Sequence, residues 1–524
     1  KMFSLILISL VIGLSVYLFL KWASKNNDYF EKQGLKNEKP YPLVGTSYFI
    51  LTGDIMEGIN KQYYMFPNEK VIGAFEFLKP AFLLRSPDVI RQLTVKDFSY
   101  FQDHVSFTND KSDDFFANVL FTLKGKKWRD MRSSLSPMFT GRKMRLMLEL
   151  INKCCDQMCE YLEENEATSH PMKMLFSKYT NDVIATCAFG VEVNSLKNPN
   201  NDIYEICQKL LGRGKFNALE MLKFLVFRFS PKIANILGMK ILPDEVTNKF
   251  TELITHTMEV RKRENIQRPD MLQLLMNLKK GQFSKEKEMD EIDTENKIIN
   301  GEVRSNWTDN ELVAQCFQFF LGGFHTTSSA LTFASYALAV NPDCQENLIA
   351  EIDRIHSNLN GKSLTYEVIT NMQYMDMFVS EVLRMWPPLV ASNRECKMSY
   401  TYKDEDGLTF TVQKGDALII PINSLHMDPK YFPNPQKFYP ERFSDENRPK
   451  INMHAYLPFG VGPRNCIAFR FALMEIKAVI FHLLLHFRIK TCKSTQIPAK
   501  VKFSLFGIVP RDNNELQFIP REDR

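Results

Sequence analysis

The fold of this chain is decided by residues 458–468, which read PFGVGPRNCIA. The cysteine, Cys466, closes a loop rich in Gly and Pro, whereas residues 467–496 contain neither. We therefore predict a long helix that begins directly after Cys466. A thiolate at the N-terminus of a helix is stabilised by the helix dipole and by free N–H groups. The position of Cys466 thus favours an ionised sulfur.

The residues that flank Cys466 also fit a bound group. Gly460 and Gly462 let the backbone approach something flat or bulky, and Arg464 places a cation two residues from the sulfur. An inert buried cysteine in a turn explains neither the glycines nor the arginine. The pattern indicates an anionic sulfur that binds a metal.

This loop resembles the haem-binding loop of the cytochrome P-450 family, whose pattern is Phe-x-x-Gly-x-Arg-x-Cys-x-Gly. The resemblance implies that Cys466 is the proximal ligand of the iron of haem b, and that Phe459 and Arg464 belong to the same cofactor site. Thiolate donation to the iron favours cleavage of the O–O bond. Ala468 stands where the family has its last Gly, a change of one methyl group that bears on local packing.

Two further segments resemble a structural ion-pair network of the same family. Glu381 and Arg384 stand at i, i+3, so they share one helix face and can pair. Residues 440–443, which read PERF, resemble the partner segment, and this implies that Arg442 completes the network. Because the loss of one buried partner costs several kcal/mol, we expect a structural role rather than a catalytic one.

Three arginines and a tryptophan are implied to hold the haem propionates. Trp128 and Arg132 stand at i, i+4, where both side chains point the same way, and they resemble one propionate contact of the family. Arg394 resembles another, and Arg464 is a further one. An arginine fork suits a carboxylate better than lysine does. Each arginine alone would be an ordinary surface residue, but together with the cysteine they describe a clamp for two anionic groups.

A second motif lies inside a long apolar helix. Thr308 and Glu311 form a capping box, and we predict a helix from there to about Val340, where residues 341–342, Asn-Pro, stop it. Residues 322–327, GGFHTT, resemble the oxygen-binding groove of the family. Each glycine costs about 1 kcal/mol against Ala in a helix, and space beside bound oxygen would explain the pair.

Thr326 and His325 are the catalytic candidates in this motif. By the resemblance, Thr326 hydrogen-bonds the oxygen and helps to pass protons to it. His325 stands where the family usually has an acid. An imidazole can relay protons near neutral pH and so replace that acid. Alternatively, His325 only satisfies a local hydrogen bond, and the relay runs through Thr326 and water.

The N-terminus predicts a membrane anchor. Residues 3–20 carry no charge and would span roughly 27 Å as a helix, close to the thickness of a bilayer core. Lys21, Lys25 and Lys32 follow, and positive charge on this side predicts that the rest of the chain faces the cytosol. A cleaved signal peptide would have a shorter apolar run and a small-residue cleavage site. We expect a protein of the endoplasmic reticulum membrane.

The expected architecture has one anchor and one large domain. Residues 1–22 form the anchor, residues 23–45 a linker with a Pro-containing hinge, and residues 46–524 the haem-thiolate catalytic domain. The expected fold class is mainly α with small β-sheets (α+β), with strands predicted near 408–412 and 417–420. A length of 524 residues alone would favour three to four domains, and the resemblance over nearly the whole chain replaces that expectation.

Charge and composition narrow the function and its partners. A net charge of +5 is too small to indicate nucleic-acid binding, and ten cysteines are too dilute for a disulfide scaffold. The sequence contains no Gly-x-Gly-x-x-Gly, so no nicotinamide site is expected. By the resemblance, electrons come from NADPH through NADPH-cytochrome P-450 reductase, with cytochrome b5 as a further candidate. A basic docking patch, or equally a solvated charged face, is predicted at Lys126, Lys127, Arg129, Arg142 and Lys143.

The predicted function is a haem-dependent monooxygenase of the insect microsomal type. It would insert one atom of O2 into a lipophilic small molecule: a xenobiotic, an insecticide, a plant toxin, or an endogenous lipid or hormone. The 41 phenylalanines fit an apolar pocket, although core packing is the expectation for any single one. By the resemblance, the segments that line the substrate pocket are 101–121, 216–229, 317–324, 389–390 and 505–506. The alternatives are a haem-thiolate isomerase or dehydratase and, in another class, a membrane-tethered lipid carrier without haem.

Overall fold

The structure is a computed structural model. It describes residues 2–52, 55–105, 113–166, 168–211, 222–223, 226–227, 231–280, 307–504, 507–512 and 514–522. Its helices are α1 (Met2–Ala23), α2 (Tyr48–Thr52), α3 (Ile55–Met65), α4 (Pro87–Arg91), α5 (Asp114–Ala117), α6 (Gly125–Leu135), α7 (Gly141–Glu164), α8 (Met172–Ile184), α9 (Asp202–Leu211), α10 (Pro231–Ile236), α11 (Asp244–Arg263), α12 (Met271–Lys279), α13 (Asp309–Val340), α14 (Pro342–Leu359), α15 (Tyr366–Thr370), α16 (Gln373–Met385), α17 (Ile422–His426) and α18 (Phe469–His486).

The strands are short and few beside the helices. They are β1 (Val71–Glu76), β2 (Lys79–Leu84), β3 (His170–Pro171), β4 (Ser392–Glu395), β5 (Tyr400–Lys403), β6 (Thr409–Val412), β7 (Ala417–Ile420), β8 (Phe487–Thr491), β9 (Val501–Ser504), β10 (Gly507–Pro510) and β11 (Glu515–Pro520). The predicted mainly α architecture with small sheets is confirmed, and so are the two strands predicted near 408–412 and 417–420.

The described chain divides into two compact units, of which the first comprises residues 1–105 and 391–425. Its main sheet has the order β1-β2-β7-β4. The β1 and β2 strands are antiparallel, β2 and β7 are parallel, and β7 and β4 are antiparallel, with Arg394 opposite Leu418. Apolar residues fill β2 and β7, so this sheet carries the core of the unit.

Helix α1 belongs to the same unit and has the length and composition of a membrane span. Its large apolar side chains from Phe3 to Trp22 are exposed, and residues 5–23 form the segment that is long and apolar enough to cross a bilayer. The helix ends at Ala23, one residue past the expected end of the anchor. The expected domain boundaries at residues 22 and 45 stay predictions.

The second unit, residues 106–390 and 426–524, is built around α13. The capping box is present as predicted: Thr308 Oγ1 accepts from the Glu311 N–H, and the Glu311 carboxylate accepts from the Thr308 N–H. The helix ends at Val340, also as predicted. Helices α8 and α18 both pack against it, so α13 is the central rod of this unit.

The helix after Cys466 differs from its prediction at both ends. It begins at Phe469 rather than directly after the cysteine, and it ends at His486. Residues 487–491 form β8, which pairs with β11. They read FRIKT, in which buried apolar residues alternate with charged ones. This period of two is typical of a strand, and it outweighs the absence of Gly and Pro.

Candidate active site

The loop before α18 is held by backbone hydrogen bonds that bring Cys466 back toward Phe459. The Cys466 N–H donates to the Phe459 carbonyl at 2.8 Å, and the Asn465 N–H donates to the Gly462 carbonyl at 2.8 Å. Gly460 and Gly462 have φ of +78° and +68°, a backbone region that favours glycine. The two glycines are therefore required by the turn itself.

The sulfur of Cys466 is accessible, although protein surrounds it. The side chain is exposed, yet burial raises the pKa of its thiol, while the Ala468 N–H and the charge of Arg132 lower it. Cys466 therefore has free surface at one point, while densely packed protein surrounds its thiol on the other sides. A sulfur at an accessible point within dense protein is suited to an internal ligand rather than to bulk water.

Helix α6 brings two of the predicted cofactor residues to this loop. Arg132 donates from Nη1 to the Asn465 carbonyl at 2.9 Å and from Nη2 to the Asn465 Oδ1 at 2.8 Å. The guanidinium carbon of Arg464 lies 4.0 Å from the ring centre of Trp128, and its Nη2 donates to the Leu123 carbonyl at 2.7 Å. Trp128, Arg132 and Arg464 are all buried, so two cations lie against the cysteine loop.

Arg394 lies in the first unit, on β4. It is 1% exposed, and its Nη1 donates to the Asn393 carbonyl at 2.7 Å and to Ser392 Oγ at 3.2 Å. Burial lowers its pKa to about 10. Its contact with a propionate stays a prediction.

Glu381, Arg384 and Arg442 meet in one buried network. The Arg384 Nε lies 2.7 Å from Glu381 Oε2, and the Arg442 Nε lies 3.3 Å from the same oxygen. The remaining donors of Arg384 bind the carbonyls of His426 and Pro435. Because the arginines also bind backbone oxygens of the segment that precedes the cysteine loop, the network ties that segment to α16.

His426 extends this network to the cysteine loop, and it stands in none of the motifs recognised in the sequence. Its Nε2 accepts from the Leu457 N–H at 2.8 Å, so its Nδ1 carries the proton and donates to the Arg384 carbonyl at 3.1 Å. Burial lowers the pKa of His426 to about 3. The imidazole therefore stays neutral and links α16 to the start of the loop.

In α13, Thr326 and His325 have different surroundings. The Thr326 hydroxyl donates to the Gly322 carbonyl at 2.5 Å, and the residue is half-buried. His325 is 3% exposed. Burial, and after it the charge of Lys173, hold the pKa of the His325 imidazole well below its ordinary value. His325 is therefore neutral at physiological pH.

The two adjacent glycines of α13 differ in the space that is available beside them. An ideal Cβ on Gly323 would lie 2.3 Å from Ile184 Cδ1, at the end of α8, whereas one on Gly322 would meet only Gln318 Nε2 at 3.8 Å. Gly323 is thus required by the close approach of α8, and its role in leaving space for oxygen stays a prediction. Gly322 keeps the predicted role.

This difference predicts opposite effects of two alanine substitutions. Gly323→Ala should destabilise the protein by about 1–2 kcal/mol, since Ile184 must move. Gly322→Ala, its matched control, should gain up to about 1 kcal/mol of helix propensity. Denaturant unfolding of both variants measures the difference, and shifts of the same sign and size would show that α8 does not constrain Gly323.

The predicted apolar pocket residues of α13 belong mainly to the core. The rings of Phe317 and Phe250 are 5.3 Å apart, and those of Phe320 and Phe324 are 6.0 Å apart; all four are buried. Core packing was the expected reading of any single phenylalanine. Most of 216–229, and all of 106–112 and 505–506, lie outside the described residues.

The predicted basic patch is partly engaged within the protein. Lys126 and Arg142 are exposed, but Lys127 lies 2.7 Å from Glu311 Oε1 and also donates to Asn118 Oδ1. Lys127 therefore helps to hold the start of α13. The docking role of the patch stays a prediction.

The residues that the sequence did not reveal are partners distant along the chain. Asn465 holds Arg132, His426 holds Leu457, and Lys173 reaches the turn of α13 that carries His325. None of the three stands in a motif with its partner, so only the fold brings them together.

The residues of the second unit fit a haem. An accessible thiol suits the iron, and Arg132 and Arg464 are buried cations beside the same loop, as carboxylate groups require. The bonds of these arginines to Asn465 and Leu123 go to neutral oxygens. The donor set is thus a soft ligand with a cationic rim, which matches an iron porphyrin that bears two propionates.

Comparison with known proteins agrees with this chemistry. Residues 36–518 match the cytochrome P-450 family. The chain is similar to cytochrome P-450 9e2 of Blattella germanica, at 40% identity over 511 residues that cover 94% of this chain and 93% of that protein. It is also similar to cytochrome P-450 9b2 of Drosophila melanogaster, at 37% identity over 530 residues that cover 99% and 100%. Cytochrome P-450 6k1 of Blattella germanica is 34% identical over 505 residues. The chain therefore belongs to the cytochrome P-450 family, the haem-thiolate monooxygenases, and is an oxidoreductase of the type found in these insects.

Proposed function

We propose that this protein is a membrane-anchored microsomal monooxygenase in which Cys466 binds the haem iron. It inserts one oxygen atom of O2 into a C–H bond of a lipophilic small molecule and reduces the other atom to water, with two electrons and two protons supplied from outside. The observation that carries the proposal is the accessible Cys466 sulfur in a loop braced by Arg132 and Arg464. The substrate class is a xenobiotic, insecticide, plant toxin, or endogenous lipid or hormone.

The haem supplies the binding and activation of oxygen, and the chain supplies its placement and its protons. The Cys466 Sγ would bind the iron. Burial raises the pKa of its thiol, and the Ala468 N–H and the charge of Arg132 partly offset that rise. Arg132, Arg464 and Arg394 bind the propionate carboxylates, and Trp128 and Phe459 pack at the cofactor. Glu381, Arg384 and Arg442 hold the loop in place and touch no reacting atom.

The proton path begins at Thr326. Its hydroxyl can donate a proton toward the reacting oxygen and then accept another. In the structure this hydroxyl donates to the Gly322 carbonyl. His325 is neutral because burial lowers its pKa, so it holds one proton and one lone pair. A neutral imidazole can accept and donate in turn, which is the role we assign to it beside Thr326.

Electrons come from NADPH through a membrane-bound reductase, with cytochrome b5 as a second candidate donor. The exposed Lys126 and Arg142 support a docking face for an acidic partner. Helix α1 anchors the chain in the endoplasmic reticulum membrane, and the catalytic domain faces the cytosol, because lysines follow the apolar span.

Spectroscopy of the purified protein tests the proposal. After reduction and addition of carbon monoxide, we expect the thiolate-type shift of the Soret band. We also expect turnover that requires the reductase and NADPH. Product formed without the reductase would instead favour a haem-thiolate isomerase or dehydratase, and the absence of any haem band would contradict the assignment of Cys466.

The role of His325 predicts a change in coupling, the fraction of electrons that appear in product rather than in hydrogen peroxide. His325→Leu should lower coupling at least about tenfold, since the relay loses both nitrogens. His325→Glu, which restores an acid, should keep or raise it. Unchanged coupling in both variants would remove His325 from the relay and leave Thr326 with water.

A further inference from the structure

Helix α8 runs antiparallel to α13 and holds the turn that contains Thr326. At one end of α8, Ile184 fills the space beside Gly323. Between the ends, Thr180 Oγ1 lies 3.2 Å from the Phe324 carbonyl, although its nearest acceptor is the Phe176 carbonyl of its own helix at 2.8 Å. At the other end, Lys173 reaches the following turn of α13. Successive points of the oxygen-binding motif are thus held by side chains of one neighbouring helix.

Lys173 makes the densest of these contacts. Its Nζ donates to Ser328 Oγ at 2.6 Å, to Ser329 Oγ at 2.9 Å and to the His325 carbonyl at 3.2 Å. Ser328 and Ser329 donate to the same carbonyl, at 3.1 and 2.9 Å. A lysine ammonium has three N–H donors, and here three acceptors of α13 meet them. The carbonyl that directly precedes Thr326 therefore has three side-chain donors.

We propose that Lys173 is a positioning residue for Thr326, which it places by fixing the turn of α13 from His325 to Ser329. This rests on the proposed function of Thr326 in proton delivery. Lys173 does not touch the reacting atoms: it acts through the His325 carbonyl and the two serines. A side-chain nitrogen that hydrogen-bonds three oxygens restricts the turn more than an apolar side chain of the same length can.

The burial of Lys173 makes this restraint sensitive to pH, because the ammonium form loses more by desolvation than the neutral amine does. Burial lowers its pKa to about 7, and the nearby thiol of Cys207 raises it slightly. Among the residues that the structure describes, the other titratable group that faces Lys173 is His325, which is neutral. In the closed turn, Lys173 is buried against residues 325–329; in the open turn, it is released to water and keeps its proton to about pH 10.4. Between about pH 7 and about pH 10.4 the open turn therefore binds one more proton than the closed turn. Opening should therefore become about tenfold rarer per pH unit above 7 and should not depend on pH below it.

Amide hydrogen exchange of the haem-loaded full-length protein tests the proposal. We expect protection of peptides that cover residues 322–330 to rise about tenfold per pH unit from about pH 7 to 8.5, after correction for intrinsic exchange. Lys173→Met should abolish this slope. Lys173→Arg should also lack it, since arginine stays charged, while its donors keep coupling closer to that of the parent. Lys178→Met, on the same helix, is the matched control and should keep the slope.

The outcomes separate this proposal from the proposed function. If exchange of residues 322–330 in Lys173→Met equalled that of the parent at every pH, the role of Lys173 would be overturned and the function of Cys466 would stay intact. A slope that survives in Lys173→Met would also overturn the role of Lys173. If Lys173→Met does not fold, the parent and Lys173→Arg decide the question. A protein without the thiolate-type spectrum would contradict the proposed function, whatever the exchange data show.

Discussion

Cys466→Ser is expected to abolish the thiolate-type spectrum of the reduced carbon monoxide complex and to remove reductase-dependent turnover. A serine hydroxyl is a harder and far less acidic ligand than a thiol, so iron loses the electron donation that thiolate supplies. Substitution of a residue that only orients a metal ligand lowers metal affinity or activity by about 10–100-fold. Loss of the ligand itself should therefore exceed about 100-fold. Haem content, the Soret band and turnover measure it.

The matched control is Cys492→Ser. Cys492 is a partly exposed cysteine without a disulfide, and its sulfur hydrogen-bonds to Ser494, Thr495 and the Glu515 carbonyl. This variant should keep the spectrum and turnover of the parent. If Cys466→Ser kept them as well, another residue would have to bind the iron, and the assignment of the loop would be wrong.

Glu381→Gln is expected to destabilise the protein by about 3–5 kcal/mol, the usual cost of breaking a buried ion pair by removing one partner. Both Glu381 and Arg384 have fully buried side chains, and Arg442 depends on the same carboxylate. The substitution removes one negative charge and leaves two buried guanidinium groups without it. Water does not reach these buried guanidinium groups, so the free-energy cost of their desolvation is no longer offset by attraction to a carboxylate.

Thermal and denaturant unfolding, together with the fraction of haem retained, measure this effect. Glu367→Gln is the control, because Glu367 pairs with Arg145 on the surface, where both side chains are more than half exposed. That variant should behave like the parent. An equal loss in the two variants would mean that the buried network contributes no more than a surface pair. A stability loss without haem loss would separate the network from the cysteine loop.

The fold was predictable wherever local signals and tertiary packing agree. The capping box at Thr308 and the Asn-Pro stop after Val340 define α13 without reference to any other element. The helix after Cys466 was predicted too long, because the absence of Gly and Pro says only that a helix is allowed. Pairing with β11 turned residues 487–491 into a strand, and a partner some 25 residues further along the chain is invisible to a local pattern.

The candidate site divides in the same way. Cys466, Glu381, Arg384 and Arg442 stand in recognisable motifs, and the structure brings the three charged residues together. For Gly323 the motif did not reveal the close approach of Ile184, which the structure shows. Motifs identify which residues matter, whereas the contact that each one makes depends on the opposing surface.

By itself the sequence determined the family, the cysteine proposed to bind the iron, and the long helix with its threonine. These follow from residues close together in the chain, whose spacing alone sets the chemistry. Only the tertiary structure decided that His325 is neutral, that His426 holds the loop and that Lys173 binds the turn of α13. The pKa of a side chain and the partner of a buried donor depend on what surrounds them, and burial is created only when distant segments pack.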